Sequence, residues 1–128
     1  MDFDALYNAA KAVVAPRRLS DTAECAVVGA ALLTAEGNVY VGVNVDTACS
    51  MGFCAEHAAA AAMLTHGENH VVQFIAVRWD GKIIAPCGRC REFIAQLHKD
   101  NRKALVKVDD DTVLPLDALL PFDWHIPE

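Results

Sequence analysis

Two short segments of this chain hold the residue types that hydrolytic metal chemistry needs, Cys54-Ala55-Glu56 and Pro86-Cys87-Gly88-Arg89-Cys90. Three thiolates fill three positions of a tetrahedral zinc ion and leave the fourth open, the arrangement of a catalytic rather than a structural zinc. Each segment stands at the predicted start of a helix, where the helix dipole offsets the excess negative charge of three sulfurs around one dication. Glu56, two residues after a ligand, is placed to face the open position without coordinating, and there it can take a proton from a bound water. Alone, Cys87-x-x-Cys90 reads as a structural zinc or redox pair, and Glu56 as a glutamate favoured by the helix dipole. The pairing of the two segments turns the reading to catalysis.

The elements that must position these residues follow from periodicity and turn signals. Phe3, Leu6, Ala9, Ala10, Val13 and Val14 fall at helical spacing over Asp2 to Val14, and Pro16 stops that helix. Ala26 to Leu33 and Val39 to Val45 flank the turn Thr34-Ala35-Glu36-Gly37-Asn38 and predict a β-hairpin. Cys54 to about His66 is alanine-rich, apolar nearly all round and ended by Gly67, which predicts a buried helix. Val71 to Val77 reads as a strand and Gly88 to Leu97 as a helix. Leu105 to Val108 and Thr112 to Leu114 flank the acidic turn Asp109-Asp110-Asp111, and Leu116 to Leu120 forms a last short helix. The alternation predicts a mixed sheet covered on both faces by helices.

The 128 residues, 54% hydrophobic and 22% charged, have the length and apolar content of one domain over residues 1–128. A net charge of -6 gives no overall footprint for a phosphate backbone, so no nucleic-acid polymer is expected as substrate. No stretch approaches the roughly 20 apolar residues of a membrane span, and Met1 to Val14 lacks the pattern of a secretory signal. An odd number of cysteines, five, with two of them only three residues apart, fits thiolate chemistry in a reducing cytoplasm better than a disulfide framework.

The two cysteine segments resemble the motifs of the cytidine deaminase family, in the subgroup that holds zinc (Zn2+) with three cysteines. The resemblance extends through Val28-Gly29-Ala30-Ala31-Leu32, Gly42-Val43-Asn44-Val45, the spacing between the metal segments and Cys90-Arg91, so that it covers roughly residues 26 to 97. Leu119-Leu120-Pro121 with Trp124 beyond looks most like the blasticidin S deaminase branch. The resemblance implies an α/β fold, a three-layer α-β-α sandwich with a five-stranded mixed sheet, assembled as a homotetramer whose neighbouring subunits complete each pocket. It implies hydrolytic deamination of a cytosine-type nucleoside, in which zinc-bound hydroxide attacks C4 while Glu56 carries protons to N3 and to the departing amine. Asn44 matches the asparagine that binds the sugar, and Ala55 the residue whose backbone contacts the ring.

This chain departs from the family pattern at substrate-facing positions. The ring-packing phenylalanine is Ala26, which removes bulk from the pocket wall; the acidic residue after the asparagine is Asp46, shorter than glutamate, and the next is Thr47. The arginine that often follows the catalytic glutamate is His57, and the loop from Asn44 to Cys54 is one residue short. These changes redraw the ring and sugar pocket and leave the zinc chemistry alone. Cytidine, deoxycytidine or a related N4-bearing nucleoside is therefore the leading substrate class, with a blasticidin S-like antibiotic next and a structural-zinc binding module as the non-enzymatic alternative.

Several residues carry plainer readings. Asn44 can end a strand and bond backbone. Cys25 and Cys49 read as small buried hydrophobes, and His57 as either a helix-surface residue or a neighbour of the thiolates. His66, His70, His98 and His125 show no ligand spacing among themselves. Trp124 reads either as a pocket closure or as part of a buried subunit contact.

Overall fold

Small side chains at successive positions, Gly29, Ala30 and Ala31, let β2, Ala23–Thr34, run through the middle of the protein with both faces covered. In the computed structural model, which describes residues 2–127, Ala30 and Leu32 point to one side and Ala31 and Leu33 to the other. On the second side lies α1, Phe3–Ala12, capped by the Asp2 carboxylate on the Ala5 N–H; its Leu6 and Ala10 pack against Ala31, Leu33, Ile75 and Val77. On the first side lie α2, Ala55–Thr65, and α3, Gly88–Leu97, which pack Ala59, Ala60, Met63, Ile94 and Ala95 against Ala30, Leu32, Phe74 and Val106. The result is a helix-sheet-helix sandwich.

The sheet contains seven strands where five are expected, and its pairing explains the difference. β2 pairs antiparallel with β3, Val39–Thr47, along one edge. Its other edge is shared end to end by β1, Arg17–Ser20, and β4, Val71–Arg78. The far edge of β4 is likewise shared by β5, Ile83–Ile84, and β6, Leu105–Lys107, the latter parallel to it. β7, Val113–Pro115, then pairs antiparallel with β6. Seven strands thus occupy five lanes. The two unforeseen strands, β1 and β5, are held by backbone pairing to longer neighbours. Exposed Arg-Arg-Leu-Ser in β1 shows no alternation, and two isoleucines in β5 are too few to show one.

α2 is not buried all round, although its composition predicts that it is. Ala55, Glu56, Ala59, Ala60 and Met63 are buried, whereas Ala61 and Leu64 lie open. The alanines serve close approach: a Cβ on Gly42 of β3 would stand 2.3 Å from the Ala59 nitrogen. Backbone therefore meets backbone there, and this contact seats the N-terminus of α2 over the sheet.

Candidate active site

Cys54 and Cys87 occupy the N-cap positions of α2 and α3, both with extended backbone, and Cys90 lies in the first turn of α3. The two helix starts converge. The Cys54 and Cys87 sulfurs are 3.6 Å apart, those of Cys87 and Cys90 3.4 Å, and all three lie within 4.8 Å of one another. Tetrahedral zinc with Zn–S bonds of about 2.3 Å separates its sulfurs by about 3.8 Å. The residues fit the ion.

Local structure fixes each sulfur. Phe53 and Val45 exchange both backbone hydrogen bonds, which ties the segment before Cys54 to β3. Gly52 makes this possible, since a Cβ there would meet the Val45 carbonyl at 1.9 Å. On the other segment Arg91 donates from Nε to the Pro86 carbonyl at 2.7 Å and from Nη1 to the Leu119 carbonyl at 2.9 Å. Arg91 so braces the turn that delivers Cys87 against the C-terminal part of the chain.

The electrostatics divide the thiols. Burial pushes Cys90 far up and Cys54 up, while Cys87 is brought down net, because hydrogen bonds from Cys90 and Cys54 outweigh its desolvation. A dication at the cluster offsets the cost of ionising all three. Glu56 is 4% exposed. Burial raises its carboxyl above the usual range, and hydrogen bonds from its own backbone and from Cys90 offset part of the rise.

A cavity of about 490 Å³ opens beside the sulfurs, with Ala55, Glu56 and Arg89 in its wall and Val28, Asn44 and Asp46 on the sheet side. Asn44 is buried and spans a bulge in β2, where Cys25 faces Val45 but Gly29 faces Val43. Its Oδ1 accepts the Val28 N–H at 2.9 Å, and its Nδ2 donates to Asp46 Oδ2 at 2.9 Å.

Residues 4–106 match the model of the cytidine and deoxycytidylate deaminase zinc-binding region. The chain belongs to this deaminase family. A cytidine deaminase from Mycobacterium tuberculosis is 34% identical over 70 residues, 54% of this chain and 53% of that protein; one from Halalkalibacterium halodurans is 39% identical over 72 residues, 55% and 54%. By sequence the chain thus spans about half the length of the curated relatives it matches. The crystal structure of the Mycobacterium tuberculosis cytidine deaminase superposes with a TM-score of 0.83 at 27% identity, covering 98% of this chain and 99% of that one. The zinc of this deaminase family falls to Cys54, Cys87 and Cys90.

Measured against the family pattern, the fold gathers Cys54, Ala55, Glu56, Cys87, Asn44 and Asp46 around one cavity, with Cys90 closing the sulfur cluster. Ala26 is the exception. It is fully buried at the β2 bulge with φ +63°, its carbonyl accepts the Ala15 N–H, and Val28 takes the wall position instead. Cys25 is buried as expected, but Cys49 is exposed, in the short 3-10 helix Ala48–Ser50, where its φ is +63°. His57 lies at the thiolates, Nδ1 3.2 Å from Cys90 Sγ, and Trp124 is 62% exposed. Arg91 and the bulge escape sequence reading; Cys90-Arg91 belongs to the motif, yet nothing in it states which carbonyls the guanidinium finds.

Proposed function

We propose that the chain is a single deaminase domain that hydrolyses a cytosine-type nucleoside at C4: the oxygen of water bonds to C4, the bond to the exocyclic nitrogen breaks, and ammonia leaves. One observation carries this reading. Glu56, buried, lines the same cavity as Cys54 and Cys87 and lies next in sequence but one to a ligand. Zinc held by Cys54, Cys87 and Cys90 would supply the Lewis acidity that makes a water nucleophilic near neutral pH.

The chain's own groups do the rest. Glu56 takes one proton from water and passes it to ring N3, then takes the second from the new C4 hydroxyl and gives it to the departing amine as the C4 carbonyl forms. The backbone of Ala55 contacts the ring, while Asn44 and Asp46 meet the sugar. Asn44 keeps this role with its Oδ1 and one N–H already engaged, which fixes the amide plane before substrate arrives.

Cytidine and deoxycytidine lead as substrates, and blasticidin S is the nearest rival among N4-bearing nucleosides. The assembly in this reading is a homotetramer, supported by exposed Val41 on β3 and exposed Met51 and Phe53 in the segment that follows β3; a cytoplasmic site is supported by five unpaired cysteines. Among the described residues no helix is long and apolar enough to cross a membrane. Incubation with cytidine, deoxycytidine, cytosine and blasticidin S, following ultraviolet absorbance and ammonia together, tests the reading. Ammonia release from one of the nucleosides is the expected result. A zinc-loaded protein that releases none from any of them rules the reading out in favour of a binding module.

A further inference from the structure

His70 stands immediately before β4 and His98 immediately after α3, 28 positions apart in a sequence that gives no hint of their meeting. The fold brings their imidazoles into a parallel stack, with ring centroids 4.2 Å apart and 2° between planes. Asp100 joins them, and the three residues offer ligand atoms that all lie within 4.8 Å of one another. None of the three lines the deaminase cavity.

The backbone around this cluster is pinned by one fully buried side chain. Asn101 accepts the Val71 N–H at 2.8 Å and donates to the carbonyls of Asn69 at 3.0 Å and Ile94 at 2.9 Å. Asn69 in turn donates from Nδ2 to the Leu97 carbonyl at 2.8 Å. The residues flanking both histidines are therefore tied to one another before any ion arrives, which lowers the ordering cost of binding.

We propose that His70, His98 and Asp100 form a second metal site, separate from the thiolates, for a late first-row divalent ion such as nickel, cobalt or zinc. Two imidazoles and one carboxylate select these ions over calcium or magnesium, which take oxygen ligands. His98 Nδ1 now accepts the Asp100 N–H at 3.0 Å, so its lone pair faces Asp100 and its ring proton sits on Nε2. The ion takes that lone pair, the freed N–H turns to water, and the Nε2 proton stays in place. His70 turns within the stack to present one nitrogen edge-on, and water fills the remaining positions. The ion then clips the entry of β4 to the exit of α3, and because only the native chain presents the three groups together, it stabilises the fold.

The test uses protein whose thiolate site is already filled, at one zinc per chain by elemental analysis. Nickel is titrated by calorimetry and melting is followed with and without it. The wild type is expected to take one further ion per chain and to melt higher with it. His70→Gln and Asp100→Asn both leave the His98 cap bond intact, and each is expected to weaken nickel binding by about tenfold or more and to abolish the melting shift. Absence of a further ion in the wild type overturns the proposal, and so does a further ion that binds both variants undiminished.

Discussion

The imidazole of His57 stands with Nδ1 3.2 Å from the Cys90 sulfur, and its ring stacks on Phe93 at 4.3 Å between centroids and 13° between planes. Phe93 thus fixes the plane of a ring whose N–H can donate to a ligand sulfur. Burial, with Arg89 nearby, keeps the imidazole below its ordinary pKa. Its contribution at neutral pH is then a hydrogen bond rather than a full charge. His57→Phe retains the stack and removes the donor, and zinc affinity measured by chelator competition is expected to fall by about 10- to 100-fold. His57→Asn, which keeps a donor near the sulfur, is expected to recover part of the loss. Equal affinities for wild type and His57→Phe would show that the contact is incidental.

Gly42 decides how closely α2 sits on β3, and the Ala59 nitrogen at 2.3 Å leaves no room for a methyl group. Gly42→Ala is expected to lower stability by at least about 1–3 kcal/mol in urea unfolding, the ordinary cost of overpacking. Because α2 carries both Cys54 and Glu56, turnover should fall as well. A variant as stable and active as the wild type would mean that α2 can shift without consequence.

Removing a ligand should act on metal and fold together. Cys87 and Cys90 lie at the start of α3 and Cys54 at the start of α2, so the ion joins two helices that otherwise meet on the sheet. In a His70→Gln background, which leaves only the thiolate site to count, Cys87→Ala is expected to reduce bound zinc below about one tenth of an equivalent and to lower the melting temperature, as chelation of the wild type should. Full zinc content in Cys87→Ala by elemental analysis would refute the ligand set.

How far the sequence carried is seen element by element. α3 is found at Gly88–Leu97 as its spacing predicts, and α1 and α2 fall within two residues of the predicted ends. Their apolar periods are long and their stop signals, Pro16 and Gly67, unambiguous. The sulfur cluster was legible because cysteine has few other uses at two helix starts. The β2 bulge was not: Ala26 adopts φ +63° where its carbonyl takes the Ala15 N–H and Asn44 takes the Val28 N–H, and alanine carries no local signal for that conformation. Likewise His70 and His98 meet through strand order, which no local spacing encodes.

Glu56 is expected to cost the protein stability. Its carboxyl is raised on folding, chiefly by burial, so the native state favours the protonated form. The contribution to stability is full below the unfolded-state pKa of about 4.3 and is lost as pH rises through the higher folded value. In chelator-treated protein Glu56→Gln should therefore unfold at higher urea than the wild type at neutral pH, with the difference shrinking as pH falls toward 4. A Glu56→Gln variant less stable than the wild type at neutral pH would place a favourable charged interaction where burial is now held to dominate.

The deciding experiment for the proposed chemistry is Glu56→Ala. Glu56 is not among the three groups that gather at the metal site, so its loss leaves the sulfurs complete, and zinc content is expected to stay at one per chain. Proton transfer between water, ring N3 and the leaving amine has no other carrier in this reading, although Asp46 also lines the cavity; Asp46 is tied to the Asn44 amide at 2.9 Å on the sheet side and is assigned to the sugar. General acid–base work contributes about 10²- to 10⁴-fold, and a group that serves several transfers in one cycle contributes more. Turnover should therefore fall by at least about 100-fold, while nucleoside binding, measured by calorimetry on the zinc-loaded variant, changes far less. Near-normal turnover would remove Glu56 from the chemistry. Loss of zinc as the sole effect would make it a support for the ligands, and the assignment of roles in the cavity would have to be redrawn around Asp46.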